Sequence, residues 1–378
     1  MYMRSPIDEV NKLRVGKGCA INFQNTNRHR IVVNEEDGSK TAYYFGVPIY
    51  NADTRKMVCL RFQKGEKVWH LEGANTRITI SREIVIDGPF GNCKVLLPGD
   101  ITGESETVLR SGKCEIFPTI NGLAFKVPCV EAQSTEISLM PFRPYNSIQA
   151  NDRCFSLMHD EFKPLITVSC IGTLDQEGRL VGPCGVNYTK KDSNEYILRF
   201  ESKALAGKFM LYEINYYEEK LFQDTTVESR HTKLNNVFGG SAYIGNTEAY
   251  GEQWLYTRPN FTKMSDMLDR WINRAIFHVP QFTNCNIELS AYRVANRFCS
   301  FGSTWDNKVA ESERISVSHV NNRYLSMDIT NLLTDAQTHT LTRSEGLIIR
   351  TKLKGSGFTT IATGDCFYSP QVLEINFR

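Results

Sequence analysis

The sequence predicts an all-β protein built from tandem β-sandwich domains, and three observations carry that expectation. Aromatic residues make up 11% of the 378 residues, with 16 Tyr and 21 Phe, a richness that suits pleated, half-buried surfaces. From Thr41 onward the runs "TAYYFGVPIY", "KMVCLRF", "KVWHLEG", "TRITISREIVIDG" and "CKVLLPGD" follow one another at intervals of about ten residues, the spacing of an antiparallel meander or sandwich. Helical periodicity is scarce.

Taken in order, "RITISREIVI" sets Ile78 and Ile80 between Thr79 and Ser81. Ile84 and Ile86 resume after a step that reads as a bulge, so one face of this strand is buried. At "LMPFRPYNSIQAND" Pro141 and Pro144 continue neither a helix nor a central strand, which marks a linker. The expected domains are therefore 1–140, a small sandwich at 141–219, and 220–378. Within the second, "GTLDQEGRLVGP" reads as a hairpin turning at Asp175, Glu177 and Gly178, and "TKKDSNEYILRF" as another turning at Asp192, Ser193 and Asn194. Two stretches read as helix. In "KMSDMLDRWINRAIF", Met264, Met267, Leu268, Trp271, Ile272 and Ala275 share a stripe with Ser265 as N-cap, which makes Trp271 a buried anchor. "DITNLLTDA" is a second, shorter helix starting near Asp328 or Thr330.

Charge and cysteine usage exclude several classes. Lys plus Arg number 44 against 42 Asp plus Glu, a net charge of +2. No run of like charges supplies a nucleic-acid-binding tail. No apolar stretch reaches the roughly 18 residues of a membrane span, so neither nucleic acid nor membrane insertion is expected. The start "MYMRSPIDEVNKLRVGKGC" places charges and a proline where a signal peptide has its apolar core, which leads to the expectation of synthesis in a cytosol. The eleven cysteines are odd in number and never C-x-x-C spaced, which reads as buried free thiols rather than a disulfide framework.

The glycines of "NNVFGGSAYIGN" resemble a phosphate-cradling loop, but the spacing departs from G-x-G-x-x-G and no Gly-Lys-Ser or Gly-Lys-Thr follows. Gly239 and Gly240 instead read as a sharp turn into a strand, supplying backbone angles closed to other residues. No cofactor is expected. The histidines lack zinc-ligand spacing. A structural calcium in a loop has weak ligand candidates in Asp224, Asp306 and Asp328, each of which also reads as a turn or cap aspartate. No nucleophile elbow appears. In "YEINYYEEK" the acids Glu213, Glu218 and Glu219 beside tyrosines read as a half-exposed strand with an acidic turn, although a carboxylate pair for glycosidic cleavage stays open.

In order along the chain, "QDTTVESRHTKLNNVFGGSAYIGN", "EQWLYTRPNF", "NRAIFHVPQFTNCNIELSAYRV", "YLSMDITNLL", "EGLIIRTKL" and "SPQVLEINF" resemble the signature of the DNRLRE domain, over about Leu221 to Arg378. The matching positions are Asp224, Thr225, Asn236, Gly239, Gly240, Arg258, Leu289, Ala291, Tyr292, Asp328 to Thr330, Gly346 and Pro370. The acidic, Arg-rich string behind the family's name is not continuous here. The resemblance implies a jelly-roll sandwich similar to carbohydrate-binding modules. Sugar binding uses aromatics that stack on pyranose faces and polar groups that bond hydroxyls, for which Trp254, Tyr256, Arg258, Trp305, Asp306 and Tyr324 are the candidates. "SFGSTWDNK", with Trp305 in a loop, is the favoured exposed site. The expected function is a non-enzymatic structural or adhesion protein of a phage particle (decoration, fibre or tail). Its partners would be other copies of itself, other particle proteins and surface polysaccharide, and its location the virion after synthesis in the host cytoplasm. The alternatives are a secreted or cell-wall-associated polysaccharide-binding protein at the cell surface and a polysaccharide-cleaving enzyme.

Overall fold

The computed structural model describes residues 3–378 apart from 4, 15–19, 23–26, 52, 67, 90, 98, 130–134, 142–144, 193, 206, 284–286, 322 and 352–356. Pro144, Ser193, Cys19 and Cys285 lie outside the described residues. Strands form four antiparallel sheets, and these pack in two pairs, each pair around its own core.

The first sandwich uses residues 63–216. In one sheet Thr135–Pro141 runs between Gly91–Leu96 and Tyr196–Ser202, and in the other Phe209–Tyr216 runs between Gly122–Pro128 and Pro164–Leu174. Alternate residues of both sheets point inward, giving a core of Ile78, Ile80, Ile84 and Ile86 against Leu123, Phe125, Val168 and Ile214. Phe200 and Tyr212 stack across it with centroids 3.7 Å apart. The step after Ile80 is a tight hairpin rather than a bulge, since Ile80 faces Ile84 and Ile78 faces Ile86. The expected hairpin at Asp175 forms, with Leu174 opposite Leu180 and Gly178 at φ 75°, a value glycine adopts without penalty.

The second sandwich joins both ends of the chain. Lys40–Phe45 pairs with the last strand, Val372–Phe377, from Lys40 opposite Phe377 to Phe45 opposite Val372. Ile272–Pro280 and Tyr324–Asp328 continue that sheet. The facing sheet holds Leu289–Val294, Leu347–Thr351, Gly251–Pro259, Ser241–Thr247 and Gly357–Ala362, with Phe222–Glu228 also paired to Gly251–Pro259. The expected division at 140 therefore does not hold. Thr135–Pro141 is hydrogen-bonded to Tyr196–Ser202, and the strands before 46 belong with the C-terminal ones. Pro141 ends a strand without ending a domain.

The long helix expected at 263–277 does not form. Phe261–Met267 makes short 3₁₀ turns, capped by Asn260, whose side chain accepts from Thr262 N, and not by Ser265. Ile272–Pro280 is a strand because neighbours on both sides offer it ladder bonds. Trp271 is consequently 49% exposed, stacked on His339 at 4.4 Å. The second helix forms as one turn, Thr330–Leu333, with Asp328 accepting from Thr330 N. A further helix, Pro6–Arg14, went unread. Its Val10 and Leu13, with Val47, Ile49 and Leu60, cover the outer face of the sheet at Ile31, Val33, Tyr43 and Phe45.

The sandwiches meet through a mixed layer. Tyr243, Tyr250 and Cys366 pack on Ile171, Leu174 and Leu211, and the Tyr243 hydroxyl donates to Ile171 O at 2.6 Å. Gly240 lies in this joint, its N–H donating to Ser169 Oγ at 2.5 Å. Neither Gly239 nor Gly240 has a positive φ, so the expected reason for them is wrong. Gly240 is there for space, because a Cβ would meet Glu213 Oε1 and Ser169 Oγ at 2.8 Å each, whereas at Gly239 nothing among the described residues lies closer than 3.7 Å. Gly240→Ala is expected to lower stability by about 1–3 kcal/mol through overpacking, and Gly239→Ala by less than about 0.5. Urea denaturation of the two variants checks the contrast, and equal midpoints would refute it.

Candidate functional site

The strand Gly251–Pro259 presents Trp254, Tyr256 and Arg258 on one face, as positions two apart must be, while Leu255 enters the inner core. Residues 295–310 fold back over this outer face on a cluster of Val227, Tyr256, Tyr292, Val294, Phe298 and Ile348. Trp305 arrives on that segment and meets Trp254 edge to face, centroids 5.4 Å apart and planes at 62°. Both tryptophans remain part-exposed. Lys308 Nζ lies 3.8 Å from the Trp305 ring centroid and 5.4 Å from that of Trp254. The Arg350 guanidinium stands 5.4 Å from Trp254 and 4.4 Å from Tyr292. Arg350 is held by a bidentate pair with Glu311, at 2.5 and 2.6 Å, and the Trp254 indole N–H donates to Glu252 Oε1 at 2.8 Å. The result is a rigid aromatic edge rimmed by cations and carboxylates.

The other sequence candidates divide around this edge. Tyr256 is wholly buried, its hydroxyl donating to Val309 O at 2.6 Å, so it anchors the covering segment and offers no stacking face. Arg258 lies over Phe298 at 5.8 Å and bonds Gln223. Asp306 is exposed and tied to the neighbouring loop, its Oδ2 accepting from Thr232 Oγ1 at 3.0 Å. Tyr324 does not belong to the site. It is 2% exposed, on the other sheet, with its hydroxyl donating to Glu9 Oε2 at 2.7 Å and fastening the N-terminal helix. Lys308 and Arg350 were missed, although Lys308 follows Trp305 by three residues in one loop and Arg350 follows the outward Ile348 by two.

The three aspartates considered for calcium stand apart. Asp328 caps the helical turn and pairs with Arg274 at 3.5 Å. Asp224 is buried beside Lys220 and Asp365. Among the described residues no group of three or more His, Cys, Asp or Glu side chains is placed to hold a metal ion. The cysteines read as small hydrophobes are largely that: of nine described, all are free, and Cys93, Cys114, Cys154, Cys170, Cys184 and Cys366 are buried.

Two further polar constellations bear on catalysis. A groove of about 960 Å³ beside the N-terminal helix is lined by Arg14, Glu35, Thr41, Tyr43, Glu374 and Asn376 among others. One of its lining residues, Glu374, is bridged by His278 at 3.1 Å, and His278 also bonds Ser326 Oγ at 2.8 Å. Ser326 is wholly buried, so this Ser-His-Glu chain cross-braces three strands and presents no nucleophile to the groove. The "YEINYYEEK" acids are not a half-exposed strand either. Glu213 is fully enclosed and burial pushes its carboxyl up to about 8, with Tyr368 N donating to it at 2.9 Å. Glu218 pairs with Arg28 at 3.1 Å and exposed Glu219 with Lys263 at 3.1 Å. The three acids serve three separate contacts.

No family model matches the chain, and a search of curated proteins finds no match. Among the described residues no helix is long and apolar enough to cross a membrane.

Proposed function

We propose that this protein binds polysaccharide without cleaving it, through the outer face of the sheet that carries Gly251–Pro259. The observation that carries the reading is the part-exposed Trp254–Trp305 pair with Lys308 over both rings. Two aromatic faces fixed at an angle match a chain whose successive sugar rings turn relative to one another. Lys308, Glu252 and Asp306 supply the donors and acceptors that sugar hydroxyls and carboxylates need. The DNRLRE resemblance of residues 221–378 supports the same reading. On a phage particle or a cell surface, where many copies stand together, weak sites of this kind gain strength through avidity.

Affinity electrophoresis through gels containing soluble neutral and uronic-acid polysaccharides tests the proposal. Retardation by at least one glycan is expected, with no reducing sugar or unsaturated end released on prolonged incubation. Unchanged mobility across the panel would sink the binding reading, and release of sugar ends would replace it with the enzymatic one.

A further inference from the structure

Lys220 lies in the segment that leads from the first sandwich to the second, between Phe209–Tyr216 and Phe222–Glu228. Its side chain is only 9% exposed, and its Nζ stands 2.5 Å from Asp365 Oδ1 and 3.7 Å from Asp224 Oδ1. Asp365 belongs to the turn before the last strand, and both aspartates are buried, at 6% and 1% exposure. The turn is held from several sides: Gly364 N donates to Asp224 Oδ2, Asp365 N to Thr363 Oγ1, and Phe367 N and Tyr368 N to Glu213. The ring of Phe238 closes the site over Lys220 at 5.9 Å. Asp224 Oδ1 and Asp365 Oδ2 are buried with no hydrogen-bond donor among the described residues, and each carboxyl acts on the titration of the other. A proton on Asp224 would give this pair of carboxyls a donor.

We propose that Lys220 and Asp365 become joined by an amide bond inside the folded chain, with Asp224 as the acid that relays the proton. An amine and a carboxyl held at contact distance with no freedom to separate have the high effective concentration that drives intramolecular condensation. The ammonium of Lys220 first gives a proton to the Asp365 carboxylate. The freed Nζ attacks Cγ and the C–N bond forms. Asp224 then protonates the departing oxygen and recovers a proton from the nitrogen, the C–O bond breaks, and water leaves. Ammonium and carboxylate become amide and water, nothing is oxidised or reduced, and Asp224 ends as it began.

Burial pushes Asp224 up to about 8, so it holds its proton at neutral pH. Burial lowers the Lys220 ammonium, and interactions led by the charge of Asp365 more than reverse that, which sets the Lys220–Asp365 ion pair as the starting state. Two charges removed from water are costly to keep, and the amide removes both. A cavity of about 10 Å³ beside Asp365, lined also by Glu213, Asn215 and Tyr217, has room for the one water released. The bond would fasten the inter-sandwich connection to the turn before Val372–Phe377, the strand on which the N-terminal strands pair.

Intact-mass spectrometry of the purified full-length chain is expected to give the sequence mass less one water. Tryptic mapping is expected to give a branched peptide joining Lys220 to Asp365. Lys220→Arg restores the full mass, and Asp224→Asn, which keeps both reacting groups, slows the bond's appearance roughly 10²-fold, the usual worth of a positioned acid. The wild-type measurement decides the matter without requiring any variant to fold. A full-mass chain with free Lys220 and Asp365 overturns the proposal, as does a water loss mapped to any other pair of residues.

Discussion

Replacing Glu228 with glutamine is expected to destabilise the chain by about 4–5 kcal/mol, and replacing its partner Arg153 with methionine by about 3, within the range for breaking a buried ion pair from one side. The pair crosses the junction between the sandwiches, its side chains 2% and 0% exposed. Glu228 has other donors: Gln253 Nε2 at 2.9 Å and His231 Nδ1 at 2.6 Å. Without Arg153 the carboxylate keeps those bonds, and it can also take up a proton. Arg153 has no such escape, because a guanidinium does not deprotonate. Among the described residues its Nε and Nη1 are already without hydrogen-bond partners, and the Tyr250 ring at 4.1 Å and the nearby Asp152 charge are the support left to it. The asymmetry follows from which charge is left behind. Urea denaturation of both single variants and of the double variant measures it, and the double variant is expected to recover much of the loss because no uncompensated charge remains. Equal losses in the two single variants would mean that the junction admits water.

Much of the architecture was legible wherever one face of a strand is wet. The alternation in "TRITISREIVIDG" and the turn at Gly178 needed only local information, and the period of two set Trp254, Tyr256 and Arg258 on one face. The misreadings share a cause in long-range contact. The apolar spacing of Met264 to Ala275 suits a helix, yet ladder partners at Tyr324–Asp328 and Val372–Phe377 outbid local preference. The pairing of Lys40–Phe45 with the last strand spans more than three hundred residues and leaves no mark in either segment. Tyr324 was misread because its sheet is covered on both sides, by the facing sheet and by Pro6–Arg14 with residues 47–60, so alternation there no longer separates exposed from buried. The buried acids Glu213, Asp224 and Asp365 were illegible for the same reason, since a carboxyl enclosed by chain from three regions looks like any turn or strand acid in sequence.

Trp305→Ala and Trp254→Ala are each expected to weaken polysaccharide binding by about 30-fold, corresponding to the roughly 2 kcal/mol that marks an aromatic hot spot, and the double variant to abolish it. The two losses should not add. Each indole fixes the other at 5.4 Å, and Lys308 leans on both, so removing one ring also loosens what remains. Tyr256→Phe separates binding from support: the ring stays buried, the hydroxyl's bond to Val309 O is lost, and the cost falls on stability, at about 1 kcal/mol. Tyr324→Phe is expected to leave affinity unchanged, because that ring packs under the N-terminal helix on the other sheet. Lys308→Met distinguishes glycan classes. A uronic-acid polymer loses affinity together with its salt dependence, whereas a neutral polymer, held by stacking and hydroxyl bonds, keeps most of its binding. Titration of all six variants against the retarding glycan checks the set. If both tryptophan variants bind like wild type, the aromatic edge serves only to clasp residues 295–310 onto the sheet.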